Sequence, residues 1–450
     1  MKQLANAHPR KRFFLEMFTR DLSLEDCVLD LIDNSVDALH RTRHLDLSPP
    51  LLAELEIPKQ AAKAKLPSIE VVYTDLEFRI TDNCGGIERE DALNEVFSFG
   101  HSAGFKGGQL GVYGIGLKRA LFKIGKHFRV ESKTTGGGFV AELDVDTWAK
   151  ADEKPEDWTI PLEFIPGVNA DAAAGTSIFI TRLTDEVKMR IKDKTLEAAL
   201  HTAIGTTYAV FMDRCVRIRV NGKDVRPMEI PVGESAAVTP GHKNISFENG
   251  KVEIKLIATL AARIRGEWSS ERAGWYVLCN NRVVLAADKS ELTGWNSGMP
   301  KFHSKYNGFI GLAFFQSESP GLLPWTTTKR GVNGDSVVFR EARVQMLLVA
   351  RGIISFLNEM YPSDLYEQPQ QREIADAIAP SEIRSFATKP SSDFTFARRV
   401  SALKPTVRVQ FDAKRSDVER IRRHLRKSAW GASRIAESTF NYFLENECPK

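Results

Sequence analysis

Apolar positions recur every three to four residues over residues 10–19 and 23–39, which predicts two helices near the start of the chain. The period then shortens. Alternating and short apolar runs predict strands over 69–74, 77–81, 128–132, 139–145 and 177–183. Between them lie a glycine-rich loop over 97–116 and a polar stretch over 150–175, which carries Pro155, Pro161 and Pro166 and is expected to loop out. Beyond residue 184, hairpin signals take over. Asn221-Gly222 follows an apolar run at 216–220, Asn249-Gly250 precedes one at 251–260, and Asn280-Asn281 separates 275–279 from 282–286. A long helix is predicted over 344–360 and a Gln/Pro-rich linker over 362–380. Ser416-Asp417-Val418-Glu419 reads as a capping box that opens a basic amphipathic helix. A second helix is predicted over 433–446, and there is no internal repeat.

Composition narrows the class. The chain has 450 residues, 42% hydrophobic and 27% charged, enough for two or three domains with their own cores. That excludes collagen-like, mostly disordered and disulfide-scaffold chains. No apolar run reaches the roughly 18 residues that a membrane span needs, and the polar first dozen residues lack the apolar segment of a signal peptide. Five scattered cysteines, Cys27, Cys84, Cys215, Cys279 and Cys448, form no C-x-x-C pair. They argue for a reducing compartment and against a zinc site, so a cytoplasmic protein without membrane contact is expected. Net charge is +4, but residues 391–450 hold 13 Lys and Arg against 7 Asp and Glu, so the tail is basic and the body is not.

Four segments carry candidate chemistry. On the second helix, Asp26, Asp30, Asp33, Asn34 and Asp37 share an arc opposite Leu24, Val28, Leu31, Ile32 and Leu39. Like charges at this spacing repel, so the arc is either a solvated face or one that meets a cation or an activated water. Next, Ile80-Thr81-Asp82-Asn83-Cys84-Gly85-Gly86-Ile87 places an Asp at a strand's mouth, with glycines that let something flat approach; a plain Asp/Gly turn is the alternative. Third, Gly111-Val112-Tyr113-Gly114-Ile115-Gly116-Leu117-Lys118 runs into a helix whose bare amides suit phosphates, or is only a flexible linker. It lacks the Gly-Lys-Ser/Thr of a P-loop, and no apolar strand precedes it as a dinucleotide fold requires. Last, Gly175-Thr176 opens a strand.

In this order and spacing, the four segments resemble the GHKL ATPase superfamily: the B subunit of DNA gyrase, the heat-shock-90 chaperones, sensor histidine kinases, MutL and MORC proteins. The resemblance covers about residues 10–185. It implies an α+β chain, in which a Bergerat-type ATP-binding α/β sandwich at 1–185 is followed by a transducer-like α/β domain at 186–361, a linker at 362–390 and a small basic helical C-terminal element at 391–450. By the same resemblance, Asn34 would hold Mg2+ across the ATP phosphates, and Asp82 would receive the adenine amine with Thr176 in support. Gly86 and Ile87 would flank the base. Gly111, Gly114, Gly116 and Lys118 would hold the phosphates, with Asp37, Ala38, Tyr113 and Leu117 alongside. Residues 97–113, with Ser102 and Lys106, would form a mobile lid.

Two positions depart from the family pattern. The general base is usually Glu, four residues before the Asn; Asp30 stands there, one methylene shorter, and predicts slow turnover, with Asp33 as a less favoured base. Cys84 stands where Gly is usual, and adenine binding is expected to survive. The loop Pro324-Trp325-Thr326-Thr327-Thr328-Lys329-Arg330-Gly331 looks like the transducer loop that brings a lysine to the γ-phosphate. Lys329 is therefore the second catalytic candidate, with Lys289 and Lys305 in reserve.

A histidine kinase is not expected, because only 20-odd residues precede the ATPase segment. The spelling Gly-x-Tyr-Gly-Ile-Gly-Leu-Lys looks closest to MORC-like bacterial ATPases. The implied function is an ATP-gated homodimeric clamp, with residues 1–20 reaching to a partner protomer. It would act on DNA or a nucleoprotein complex in genome defence or chromosome maintenance, with further protein partners possible. A nearly inert ATP-sensing module and a chaperone-like client clamp are the alternatives. Trp430 is expected to be a packing anchor.

Overall fold

The computed structural model describes residues 10–43, 66–99, 110–111, 114–151, 157–168, 174–212, 215–362, 368–383, 386, 390–396, 412–425, 427 and 430–448. Helices α1 (Lys11–Thr19) and α2 (Leu24–Arg43) come first. Helix α2 starts at a reciprocal cap: Ser23 Oγ accepts from the Asp26 N–H at 3.1 Å, and Asp26 Oδ2 accepts from the Ser23 N–H at 3.0 Å.

Strands β1 (Ser68–Tyr73), β2 (Glu77–Asp82), β3 (Gly125–Lys133), β4 (Gly138–Asp144), β5 (Leu162–Ile165), β6 (Gly175–Leu183), β7 (Arg217–Val220) and β8 (Lys223–Asp224) form one sheet in the order β5-β4-β3-β6-β2-β1-β7-β8. All neighbours are antiparallel except β1 and β7. That parallel pair needs a crossover, supplied by α5 (Asp185–Lys192) and α6 (Leu196–Thr207). Alternate residues such as Ile69, Val71, Phe78 and Ile80 point into the core. Helix α3 (Gly116–Ile124) packs on α2, and α1 and α4 (Val145–Lys150) pack beside it.

A second sheet, in the order β9-β10-β13-β11-β12, contains β9 (Gly241–Phe247), β10 (Val252–Leu260), β11 (Gly274–Cys279), β12 (Arg282–Asp288) and β13 (Phe309–Gln316). Every residue of β11 and β13 is buried. Helix α7 (Val337–Met360) covers one face through Phe339, Ala342 and Met346. Ile230, Val232 and Phe386 close the other. The expected turns form: Asn221 and Gly222, and Asn280 and Asn281, all have positive φ, the requirement of a tight hairpin turn.

Several sequence-based expectations change. Strand β5 lies in the stretch expected to loop out; it is a short edge strand whose residues are all at least partly exposed, so it lacks an apolar signature. The first sheet runs on to Asp224, past the expected boundary at residue 185, because β7 pairs with β1. Helix α7 begins at Val337, not 344. The expected linker contains α8 (Pro369–Asp376), entered by a proline in its first turn. Helix α1 packs on its own chain: the buried Lys11 ammonium donates to the Trp148 carbonyl at 2.9 Å and to the Ala151 carbonyl at 2.6 Å, and sits 4.0 Å over the Trp148 ring. Residues 1–9 of the expected dimer arm lie outside the described residues.

The chain divides into two compact units at residue 397. The second contains α9 (Arg415–His424) and α10 (Ala432–Glu447), which pack together. The cap position of α9 is Lys414, so Ser416 lies inside the first turn and the expected capping box does not form. Arg434 lies 4.7 Å and Lys427 5.5 Å from the Trp430 ring, and the Trp430 carbonyl accepts from Arg422.

Candidate functional site

The acidic arc of α2 is folded inward. Asp30, Asp33, Ser35 and Asp37 are all buried. Four carboxyl or hydroxyl groups in a core need partners, and Asp33, Ser35 and Asp37 find theirs in hydrogen bonds. Asp33 is 1% exposed; its Oδ2 accepts from Lys329 Nζ at 2.7 Å, and its Oδ1 accepts from Arg282 Nε at 3.0 Å and lies 2.6 Å from the Tyr208 hydroxyl. Burial pushes this carboxyl up, but Arg282, then Lys329 and the hydrogen bonds outweigh it, so it titrates below the ordinary carboxylate range. A carboxylate so fully engaged is a counter-ion. Asp33 therefore does not serve as the reserve base.

Asp30 differs. Burial raises its proton affinity against the pull of Lys329, with a push from Asp33. It faces the start of α3: a Cβ on Gly116 would lie 3.2 Å from the Asp30 carboxyl carbon. A buried carboxylate with raised basicity beside a helix N-terminus can hold and take a proton from a water. Two turns on, Asp37 accepts from the Leu110 N–H at 2.7 Å and the Gly111 N–H at 2.8 Å. Burial raises it to about 6 in spite of those bonds. Asp37 thus ties the glycine-rich segment to α2. Gly114 has φ +59°, a left-handed turn just ahead of α3.

The sheet supplies the other end of the site. Asp82 closes β2, with Oδ2 accepting from Ser35 Oγ at 2.7 Å and Oδ1 from the Cys84 N–H at 2.9 Å. Burial raises this carboxyl, against the hydrogen bonds from Cys84, Ser35 and the Thr176 backbone. Thr176 Oγ1 lies 2.9 Å from Ser132 Oγ, which accepts from the Ile87 N–H at 2.8 Å. Ser35 and Ser132 therefore join the expected Asp82, Ile87 and Thr176 in one polar cluster. The glycines there permit close approach: a Cβ on Gly175 would sit 2.0 Å from the Asp82 carbonyl oxygen, and one on Gly86 2.3 Å from that of Lys133. Cys84 lies in the core, which explains how a side chain is accommodated where Gly is usual.

Other expected residues fall in different surroundings. Lys118 is buried and donates to the Val96 carbonyl at 2.7 Å, with its ammonium 5.8 Å from the Phe99 ring. Burial lowers its pKa to about 8. It must leave that carbonyl to meet a phosphate. Leu117 and Ala38 are buried core residues. Lys289 and Lys305 lie over Phe302 and Tyr306, whereas Lys329 reaches α2. Ser102, Lys106 and Tyr113 lie outside the described residues.

Sequence reasoning missed Arg282 and Tyr208, which meet α2 across more than 170 residues. The only local signal for Arg282 was its place just after the Asn280-Asn281 turn. Arg282 donates through Nε to Asp33 and through Nη1 to the Lys329 carbonyl. Arg330 pairs with Asp26, so consecutive residues of the 324–331 loop hold two carboxylates of α2.

The residues fit a nucleotide with its metal. Asn34 has a buried side-chain Nδ2 without a hydrogen-bond partner among the described residues. Among those residues no three His, Cys, Asp or Glu side chains converge on one point. An Asn oxygen completed by phosphate and water oxygens is a donor set that suits Mg2+. No helix among the described residues is long and apolar enough to cross a membrane.

No curated protein matches the chain. Residues 22–166 match the family model described as Histidine kinase-, DNA gyrase B-, and HSP90-like ATPase. That segment holds Asp30, Asn34, Asp37, Asp82 and the glycines from 111 to 116, while Thr176, Arg282 and Lys329 lie beyond it. With the polar cluster at Asp82 and the glycine-rich entry to α3, the match supports a GHKL-type, ATP-binding domain in this part of the chain.

Proposed function

We propose that the protein binds ATP with Mg2+, hydrolyses it slowly to ADP and phosphate, and works as an ATP-gated homodimeric clamp of the MORC-like kind on DNA or a nucleoprotein complex. The observation that carries this reading is the line of groups along α2: Asp30 beside Gly116, Asn34 with an unpartnered buried Nδ2, Asp37 holding the glycine segment, and Ser35 on Asp82. In it, Asp82 and Thr176 orient the adenine, and Asn34 holds the metal. Mg2+, when bound, neutralises phosphate charge. Asp30 takes the proton of the attacking water, and Lys329 offsets charge that develops on the terminal phosphoryl group. Residues 186–361 act as the transducer. Support for a nucleic-acid contact is the exposure of Arg415, Arg420, Arg423 and Lys427 in the second unit.

Light scattering with a non-hydrolysable ATP analogue and Mg2+ tests the clamp. The 50.3 kDa chain is expected to shift to roughly twice that mass as a closed two-fold pair, and Lys329→Ala to abolish the shift. A monomer that binds nucleotide without a mass change contradicts the clamp. That outcome favours a second reading, an ATP-sensing module of negligible turnover, which draws support from the short Asp30 and from the Asp33 partner of Lys329.

A further inference from the structure

Lys329 has φ +55°, a left-handed conformation rare for a residue with a Cβ, and the surrounding structure must hold it there. The Arg282 guanidinium does so from the first residue of β12, an edge strand of the second sheet. It is 1% exposed, donates through Nη1 to the Lys329 carbonyl and through Nε to Asp33 Oδ1, and so grips the lysine's backbone and its counter-ion together. We infer that Arg282 is the positioning residue of Lys329: it fixes the loop while leaving the ammonium free to exchange partners. This inference rests on the proposed role of Lys329 at the terminal phosphate.

The chemistry of the exchange explains why an arginine is needed. Lys329 Nζ occupies Asp33 Oδ2 alone, whereas Arg282 and Tyr208 occupy Oδ1. When the ammonium swings to a phosphate, Asp33 stays ionised and paired, so no buried charge is left unmatched. The loop keeps its backbone anchor at the same time. A lysine at 282 would offer one ammonium where two separated acceptors must be met, and would lack the planar fork that meets both.

Three measurements on the full-length protein test this. The first needs no nucleotide: the rate at which an amine-acylating reagent labels Lys329, read by peptide mass spectrometry. Arg282→Met leaves Lys329 as the sole cation opposite the buried Asp33 carboxylate and is expected to slow labelling of Lys329 by about tenfold or more, with Lys289 and Lys305 unchanged. Arg282→Lys keeps the charge beside Asp33 but loses the grip on the Lys329 carbonyl, so it is expected to speed labelling, and it decides the matter if Arg282→Met does not fold. Wild-type labelling of Lys329 in a folded variant overturns the inference. The second is the split between nucleotides: Arg282→Met lowers turnover of ATP while ADP affinity stays within about twofold, because ADP lacks the group that Lys329 meets. Equal loss for both nucleotides overturns it. The third is the double variant: Arg282→Met adds nothing to Lys329→Met in turnover, and additive losses overturn the inference. If the wild type turns over no ATP while labelling still responds, the ATPase reading falls and the positioning role stands.

Discussion

Asp33 and Lys329, 296 residues apart in sequence, form an ion pair of 2.7 Å whose carboxylate is almost wholly buried. The pair ties the helix that carries the candidate base to the loop that carries the candidate phosphate sensor. Its two ends are not equivalent. Asp33 has three partners, Lys329, Arg282 and Tyr208, whereas Lys329 gives its ammonium to Asp33.

That asymmetry predicts unequal costs. Asp33→Ala leaves two buried cations without their carboxylate and is expected to cost about 3–5 kcal/mol of stability. Lys329→Met leaves Asp33 with Arg282 and Tyr208 and is expected to cost about 1–3 kcal/mol. Urea unfolding of both variants checks this; equal costs would mean that Arg282 does not share the charge.

Gly175 predicts a steric result. A methyl group there would stand 2.0 Å from the Asp82 carbonyl oxygen, against backbone that cannot yield cheaply. Gly175→Ala is expected to destabilise the chain by about 1–3 kcal/mol and to weaken ATP binding through displacement of Asp82. Gly431→Ala, where no atom lies within 4 Å and φ is −69°, is a control for the added methyl group without a clash. If the two variants bind ATP equally well, Asp82 is not held as described.

The Asp37 carboxyl is raised from 3.8 to about 6 by burial. Between those values the folded chain holds a proton that the unfolded chain has released, so the contribution of this group to stability is greatest below about pH 4 and is lost as pH rises through 6. This one group contributes a decline of about 3 kcal/mol across the window. Asp30 and Asp82 are raised in the same direction, so the diagnostic quantity is the difference between wild type and Asp37→Asn. Urea midpoints from pH 4 to pH 7.5 are expected to fall less steeply in the variant; parallel profiles would contradict the assignment.

Asp30 predicts a gain of function. If its carboxylate falls more than an ångström short of the attacking water, Asp30→Glu corrects the reach and raises turnover by about 10- to 100-fold, while Asp30→Ala removes what turnover there is. Phosphate release under saturating ATP measures both. A Glu variant no faster than wild type, with an inactive Ala variant, would show that Asp is the proper length in this site.

Much of this site was legible because it is local. The arc of α2 repeats at helical spacing, and the segments at Asp82, Gly111–Gly116 and Gly175-Thr176 are contiguous. What joins them was not legible. Ser132 reaches Ile87 across 45 residues and Arg282 reaches Asp33 across 249, and neither is marked by its neighbours. The burial of Lys118 on the Val96 carbonyl was hidden for the same reason: a lysine after a glycine loop reads as a phosphate ligand until its surroundings are known. Strand β5 escaped because its pairing to β4, not an apolar face, makes it a strand. The expected box at Ser416 failed by register, since α9 starts two residues earlier, while the working box at Ser23 uses Asp26 at the position searched for Glu or Gln.

In the proposed site the cluster around Asp82 and Ser35 receives the base of ATP while α2 carries its phosphates and metal. Titration calorimetry with ATP and Mg2+ on wild type, Asp82→Asn and Asn34→Ala tests it most directly. The expected result is one site per chain in the wild type, binding lost in Asp82→Asn because an amide turns a donor toward the adenine amine, and metal-dependent binding lost in Asn34→Ala. Wild-type affinity in the Asp82→Asn protein, with its fold intact, would contradict it.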